Sequence, residues 1–388
     1  MTTKEKKPSL NSDNLEIEIE DYPKNDCLKI VRILCIDIFQ YKIIKFLLIW
    51  ALNICVLITV VQSYFFLKYF DLIYFVKYAP MFFALQIATV TIGGNIALSD
   101  VPTTELKLLD VWKIKNVNHK ISKQFEKQCL IVTLWTIISV TLGTFSGFLM
   151  MISGNDNQDI FFIYSLIDNY VLHEWKLGIS LWFSVCCAFL CFVGVASMYQ
   201  FVYGTFHIKF QIEILLNFLT AINDRDKDES DAELLNCKKY QDEIKYCLRF
   251  IGDRHSKLKK CLIFLYTTVG GLFVISIMFF LLTFEGDFVS TYVRMVPICM
   301  TGFLVGGTII MSGQYVQDVS SMILEISCQL NWYMWNKENK MMYLIILINS
   351  FKPFKIKFSE NMSVNYELGL NHQNGVFNGF CFNTGQKS

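Results

Sequence analysis

Residues 178–206 read GISLWFSVCCAFLCFVGVASMYQFVYGTF, a run of 29 residues without one charged side chain. At about 1.5 Å of rise per residue, a helix of some 20 apolar residues crosses the ~30 Å hydrocarbon layer of a bilayer. Five further stretches of comparable length carry almost no charge: 43–67, 72–98, 129–152, 261–284 and 291–316. We therefore predict an all-α polytopic membrane protein with six clear transmembrane helices.

The composition agrees with a membrane protein. Of the 388 residues, 53% are hydrophobic and 18% are charged, and the mean hydropathy is +0.39. A typical soluble domain has about 25% charged residues. The first 27 residues contain no apolar h-region, so we predict no cleavable signal peptide and expect the first span to insert the chain. A basic patch with aromatic partners is absent from the sequence, so we do not expect nucleic acid as a partner.

The distribution of lysine and arginine sets the predicted orientation. The outer loops, 68–71, 153–177 and 285–290, hold only Lys68 and Lys176. The inner segments 1–42, 99–128 and 207–260 each carry at least six basic residues, and the region after 316 is the fourth inner segment. The N-terminus is therefore predicted to be cytoplasmic.

The segment 207–260 has a helical rhythm of its own. Its apolar residues recur at three- and four-residue steps with charged residues between them, as in an amphipathic helix: Leu235, Tyr240, Ile244, Cys247, Leu248 and Ile251. We predict that spans four and five continue below the membrane and pack together as an anchor for subunit assembly. A helical loop on the lipid surface is the alternative.

These patterns divide the chain into seven parts. They are a cytoplasmic polar tail (1–26), an interfacial helix (27–42), transmembrane helices 1–4 with an outer ligand pocket (43–206), cytoplasmic anchor helices (207–260), transmembrane helices 5–6 (261–316), a cytoplasmic helix block (317–353) and an atypical C-terminal tail (354–388).

Several classes of function are disfavoured by what the sequence lacks. It has no G-x-S-x-G, no G-x-x-x-x-G-K-S/T and no H-E-x-x-H, so we predict that the chain is not an enzyme. The thirteen cysteines include no C-x-x-C and the five histidines lie far apart in the sequence, so we predict no metal site and no cofactor. The span centres carry no ionisable residue, which disfavours an ion-coupled transporter.

The outer halves of the spans are rich in aromatic and sulfur-containing side chains. An apolar cavity with a few polar groups is typical of a small-molecule site. The predicted pocket residues are Tyr74, Tyr78, Phe82, Phe145, Phe148, Met151, Trp182, Phe183, Tyr292 and Met295. Lipid contact or helix packing is the alternative for each. Gly143 with Gly147, and Gly302 with Gly306 and Gly307, have the spacing that lets helix backbones approach closely, which favours packing within the subunit.

A motif block follows the sixth span. Residues 317–336 read QDVSSMILEISCQLNWYMWN, and residues 340–353 read KMMYLIILINSFKP. This block resembles the insect odorant receptor family, in which an N-W-Y or Y-x-x-x-W element precedes basic residues, a short apolar helix and S-x-K-P. The matching residues are Asn331, Trp332, Tyr333, Lys340, Leu344, Ser350, Lys352 and Pro353. His255 stands where that family often has a histidine.

The resemblance implies a ligand-gated, non-selective cation channel in the plasma membrane of a sensory-neuron dendrite. In that family an odour-specific subunit assembles with a common co-receptor into a hetero-tetramer. Each subunit binds small volatile apolar molecules in an outer-leaflet pocket, and the last helix lines the pore. The co-receptor is a longer chain, so this chain resembles an odour-specific tuning subunit.

The sequence departs from the family after Pro353. Where a seventh, pore-lining helix is expected, the chain has Lys357, Glu360, Glu367, His372 and four glycines, which make a poor spanning segment. Either the pore helix is unusually polar, or the end of the protein has been replaced, for instance through a misread exon junction. We favour replacement.

Two other membrane proteins were weighed. A seven-helix G-protein-coupled receptor requires an outside N-terminus, and the sequence shows neither D/E-R-Y after the third span nor N-P-x-x-Y in the last. A small-molecule transporter would show ligand uptake without current.

Overall fold

The computed structural model describes residues 26–68, 82, 85–86, 88–97, 101–108, 119–149, 171–225, 237–258, 288–352, 354, 357–359 and 362–363. These residues are almost entirely helical. The helices are α1 (Lys29–Cys35), α2 (Lys42–Lys68), α3 (88–97), α4 (Val101–Leu108), α5 (His119–Leu149), α6 (His173–Arg225), α7 (238–258), α8 (Phe288–Cys328) and α9 (Lys337–Ser350). Short 3-10 turns lie at Asp37–Gln40 and Trp332–Met334.

The apolar runs of the sequence lie within these helices wherever the structure describes them. Three helices of the described part are long and apolar enough to cross a membrane: Lys42–Lys68, Ile121–Phe148 and His173–Thr220. The predicted run 291–316 lies inside α8. The run 72–98 is described at residues 82, 85–86 and 88–97, all helical, and the run 261–284 lies outside the described residues.

Helix α6 is the axis of the molecule. Its 53 residues span about 80 Å at 1.5 Å per residue, so it extends well past a hydrocarbon layer of ~30 Å. Every residue from 196 to 212 is buried, which means that other elements surround the helix on all sides at this level. Helices α5 and α8 both pack on α6, as the rings of Phe125 and Phe210, 4.8 Å apart, and of Phe206 and Tyr315, 6.2 Å apart, illustrate.

Helix α1, which the sequence predicts to be interfacial, lies against α6. Leu28, Val31, Cys35, Ile36 and Phe39 are fully buried, whereas Ile30 and Ile33 on the opposite side are exposed. The segment 27–42 therefore has one apolar face inside the protein and a second one outside it.

The helices that the sequence predicts to be cytoplasmic form a second packed layer. The buried residues of α7 include Tyr240, Ile244, Cys247, Leu248 and Ile251, which confirms the predicted amphipathic face over the described residues. The rings of Phe218 on α6 and Phe250 on α7 lie 5.8 Å apart, so α7 packs against the inner extension of α6.

After α9, the described residues of the tail form two short antiparallel strands. Strand β1 (Lys357–Ser359) pairs with β2 (Met362–Ser363), with Lys357 opposite Ser363 and Ser359 opposite Met362.

Candidate functional site

The buried carboxylate of Asp26, the first described residue, contacts side chains near the centre of α6. Asp26 Oδ2 accepts hydrogen bonds from Tyr203 Oη at 2.7 Å and from Arg32 Nη1 at 3.1 Å. Asp26 Oδ1 accepts from the Leu28 amide at 2.8 Å and lies 3.1 Å from His207 Nε2. The Asp26 side chain is fully buried, so these four partners replace its hydration shell. We call this group the Asp26 cluster.

The charges of the Asp26 cluster stabilise each other. Burial alone raises the pKa of the Asp26 carboxyl, but the hydrogen bond and charge of His207 and the hydrogen bonds of Tyr203 and Leu28 outweigh it. The net pKa lies below its ordinary value, so the carboxylate is ionised at neutral pH. Burial lowers the pKa of Arg32, but the charges of Asp26 and Asp37 outweigh it, so that pKa lies above its usual value. The cluster is a buried ion pair whose partners are satisfied.

Sequence reasoning missed the Asp26 cluster. Asp26 and His207 are 181 residues apart, and the sequence places one in a polar tail and the other at the end of a span. Cys27 lies beside them, and one ligand atom each of Asp26, Cys27 and His207 falls within 4.8 Å of the others. A useful signal was a row of polar residues on one side of α6, which recur at three- and four-residue steps: Ser197, Gln200, Tyr203 and His207.

A second set of hydrogen bonds lies on the same face of α6, one turn before Tyr203. Gln200 Nε2 donates to Asn95 Oδ1 and to the Cys35 carbonyl, both at 2.8 Å. Asn95 Nδ2 donates to Ser197 Oγ at 2.5 Å. These amides connect α1, α3 and α6, and each bond is strong where water is excluded.

A buried lysine joins three helices further along α6. Lys209 Nζ donates to Gln128 Oε1 at 2.7 Å and lies 3.5 Å from Glu213 Oε1. It also lies over three aromatic rings, those of Tyr315 at 4.7 Å, Phe206 at 5.6 Å and Phe210 at 5.8 Å. The lysine thereby fixes α5 and α8 on α6.

The motif block docks onto α7 through amide groups. Gln241 Nε2 donates to the Met334 carbonyl at 3.1 Å, and Gln241 Oε1 accepts from the Asn336 amide at 2.8 Å. Asn339 Nδ2 donates to the Gln241 carbonyl at 2.8 Å and to Gln241 Oε1 at 3.0 Å. Asn336 caps α9 by accepting from the Asn339 amide. Gln241 and Asn339 are both buried, and neither was predicted from the sequence as a contact residue.

The structure brings several of the motif residues together. Trp332 is half-exposed and stacks on Tyr343, whose hydroxyl donates to the Ser327 carbonyl at 3.0 Å. Ser350 is buried, and the Phe354 amide, four residues on, donates to Ser320 Oγ of α8 at 2.9 Å.

The remaining motif residues lie around this contact. His255 is buried and its ring lies 4.8 Å from that of Phe354, which places the histidine of α7 at the end of the S-x-K-P element. Tyr333 and Lys352 are exposed, Asn331 and Lys340 are partly exposed, and Pro353 lies outside the described residues.

The predicted pocket residues lie on several helices. Phe82 is half-buried with its ring 5.3 Å from that of Phe66, and Trp182 makes an edge-to-face contact with Trp50 at 5.0 Å. Phe145 and Phe148 on α5 are exposed at the surface of the single chain, and Phe183 is half-buried. Tyr292 lies on α8 and Met295 one turn further along it. Tyr74, Tyr78 and Met151 lie outside the described residues. The pocket remains a prediction.

Comparisons with known proteins find solved structures of the same fold, but no relative by sequence. Neither a protein-family model nor a curated protein matches this chain. The structure of the insect olfactory receptor OR5 from Machilis hrabei matches with a TM-score of 0.65 and 11% identity, over 87% of this chain and 88% of that one. The structure of the same receptor in complex with eugenol matches with a TM-score of 0.65 and 13% identity, over 90% of this chain and 94% of that one. This chain has the insect olfactory receptor fold.

The olfactory receptor fold agrees with the expectation from the sequence. The prediction of an all-α polytopic membrane protein that resembles the insect odorant receptors is confirmed at the level of the fold. The match extends over 87–90% of the chain.

Proposed function

We propose that this chain is an odour-specific subunit of a ligand-gated, non-selective cation channel of the plasma membrane. The observation that carries the proposal is the olfactory receptor fold, which extends over nine-tenths of the chain in the comparison with the eugenol complex. The motif block 317–353 and the predicted cytoplasmic N-terminus support the same function.

The proposed ligand is a small volatile molecule that is mostly apolar. One of the solved structures with this fold holds eugenol, which supports a ligand of this class. The aromatic residues of the outer span halves, Phe82, Trp182 and Phe183 among them, are the proposed contacts. A ligand that binds the open state more tightly than the closed one shifts the gate by the difference between its two affinities.

The proposed partner is the odorant co-receptor, in a hetero-tetramer. Helix α9 supports an assembly of this kind. Its inner face is buried, but its outer face exposes four apolar side chains at helical spacing, Met341, Leu344, Ile345 and Ile348. An apolar stripe on a cytoplasmic helix is typical of a surface that a further subunit covers.

The test is odour-evoked current in cells that express the full chain with an insect odorant co-receptor. A panel of volatiles that begins with eugenol is applied, and a terminal tag measures surface expression. In a second arm, residues 354–388 are replaced by the pore-lining last helix of an insect odorant receptor. We expect current in the second arm, and also in the first if the natural tail can line a pore. Co-receptor alone is the control.

The outcomes separate the two parts of the proposal. Current with the replaced tail alone supports the subunit function and assigns the defect to residues 354–388. Absence of current in both arms, with normal surface expression and a broad odour panel, argues against an odour-gated subunit.

Trp182 allows a direct test of the proposed pocket. Removal of an aromatic contact that touches the ligand weakens binding by 1–2 kcal/mol, which is about tenfold in concentration. In the arm that gives current, Trp182→Ala is expected to raise the half-maximal odour concentration about tenfold. Leu181→Ala is the matched control, since Leu181 is an exposed neighbour on the same helix. Equal responses of the two variants would remove Trp182 from the pocket.

A further inference from the structure

We propose that Asp26, Cys27 and His207 bind one divalent transition-metal ion of the zinc class. A carboxylate oxygen, a thiol sulfur and an imidazole nitrogen meet there within 4.8 Å of one another. Asp26 and His207 are buried, and Cys27 is partly so. The proposal concerns the cytoplasmic side of the fold and is independent of whether the chain carries an odour-evoked current.

The distance between Asp26 Oδ1 and His207 Nε2 suits zinc. A tetrahedral zinc ion binds oxygen and nitrogen at about 2.0–2.1 Å, which separates two such ligands by about 3.3 Å, and it binds sulfur at about 2.3 Å. Asp26 Oδ1 and His207 Nε2 lie 3.1 Å apart, close to that separation. The Cys27 sulfur completes a set of one carboxylate, one imidazole and one thiolate, and water can supply a fourth ligand. Calcium and magnesium prefer more oxygen ligands than this site offers.

The surroundings hold the carboxylate in place for an ion. Tyr203 and Arg32 both donate to Asp26 Oδ2, the oxygen that does not face His207. The Leu28 amide donates to Oδ1 and so fixes the carboxylate from the chain side. Ligating carboxylates of metal sites are typically oriented by hydrogen bonds of this kind. Arg32 approaches the far oxygen, so its charge does not occupy the position between Asp26 and His207.

The ion would link two distant parts of the chain. Asp26 and Cys27 precede α1, whereas His207 lies 181 residues away on α6, where that helix leaves the membrane. A metal at this point would fasten the N-terminal segment to the axis of the molecule. The competing explanation is a plain ion pair between Asp26 and His207, in which Cys27 has no part. The contribution of Cys27 is therefore the decisive measurement.

The test uses the purified full chain in detergent, after dialysis against a chelator. Zinc is titrated and measured by elemental analysis, and cobalt is titrated as a coloured substitute whose thiolate bond gives a charge-transfer band in the near ultraviolet. We expect one equivalent of either ion and the cobalt–thiolate band. Cys27→Ala and His207→Gln should each weaken binding at least a hundredfold. Tyr203→Phe, which loses only a hydrogen bond to the ligand, should weaken it about 10- to 100-fold.

Cys237→Ser is the matched control, because Cys237 is an exposed cysteine outside the cluster. The affinity of Cys237→Ser for zinc should equal that of the unmodified chain. Zinc should also raise the thermal midpoint of the unmodified chain and of Cys237→Ser, but not that of Cys27→Ala. His207→Gln keeps a donor for Asp26, and the midpoint without metal shows whether each variant is folded. Less than a tenth of an equivalent bound by the unmodified chain, or equal binding by Cys27→Ala, would overturn the proposal.

Discussion

At the scale of single residues, Gly147 shows how closely two of the membrane helices approach. A Cβ atom at this position would lie 2.6 Å from the Ala188 Cα and 3.0 Å from the Ala188 nitrogen and the Cys187 carbonyl oxygen. All three are backbone atoms of α6, so no side-chain rotation relieves the contact. Gly194 on α6 differs, because a Cβ there meets nothing within 4 Å among the described residues.

We predict that Gly147→Ala separates α5 from α6 and destabilises the protein. Overpacking of a tight contact typically costs about 1–3 kcal/mol. Gly194→Ala, the control, should be neutral or slightly stabilising, since alanine favours a helix by about 1 kcal/mol over glycine. Thermal unfolding in detergent, followed by fluorescence-detected size exclusion, compares the two. A midpoint for Gly147→Ala equal to that of Gly194→Ala would contradict the close approach.

The glycines also show how far helix packing can be predicted from sequence spacing. The spacing of Gly143 and Gly147 predicted close packing within the subunit, and both meet α6 at short distance, which confirms it. The same spacing at Gly302 and Gly306 has no described atom within 4 Å of the added Cβ. The spacing of glycines shows that one face of a helix lacks side chains. Which helix packs on that face depends on the tertiary structure.

At the scale of elements, the docking of α9 on α7 depends on a few buried amides. Gln241 is bonded to Met334, Asn336 and Asn339, and Trp335 Nε1 donates to Tyr240 Oη at 3.3 Å. Lys245 and Glu338 add an ion pair between the same helices. A buried group that loses its partner costs about 1–3 kcal/mol, so the amides matter more to this contact than the exposed ion pair does.

We predict that Gln241→Ala lowers stability by about 1–3 kcal/mol, because it leaves the Asn336 amide and the Met334 carbonyl without this partner. Lys239→Ala is the control, since Lys239 is exposed on the same helix. Thermal unfolding compares the two variants, and protease sensitivity around residues 331–339 reports whether α9 has detached. If both variants unfold alike, the amides do not hold the two helices together.

The apolar face of α7 was predictable and its polar contacts were not. Tyr240, Ile244 and Cys247 follow the helical period and are buried, as the pattern predicted. Gln241 interrupts that pattern, because its burial depends on partners some 95 residues further along the chain. The Asp26 cluster was missed for the same reason. The periodicity of apolar residues predicts the buried face of one helix, whereas a polar network is formed by several helices together.

At the scale of the whole molecule, α6 is long enough to extend from one side of the membrane to the other. It begins at His173, within the predicted outer loop 153–177, and continues to Arg225 in the predicted cytoplasmic layer. Because α6 is one continuous helix, Trp175 lies at its opposite end from the part on which α7 packs, so the orientation of α6 decides that of the entire fold. Charge distribution predicts that the His173 end is outside.

Two exposed positions test this orientation directly. Cys237, at the start of α7, is exposed on the predicted cytoplasmic side, and Trp175 is exposed near the predicted outer end of α6. Cys328 is also exposed, so the test uses a Cys328→Ser background. In that background, a membrane-impermeant maleimide should label Trp175→Cys, combined with Cys237→Ser, on intact cells. It should label Cys237 only after permeabilisation, with Cys237→Ser as the blank. The reverse pattern would invert the fold, place the N-terminus outside and favour the G-protein-coupled receptor over the channel subunit. Only the predicted pattern leaves the motif block and the Asp26 cluster in the cytoplasm.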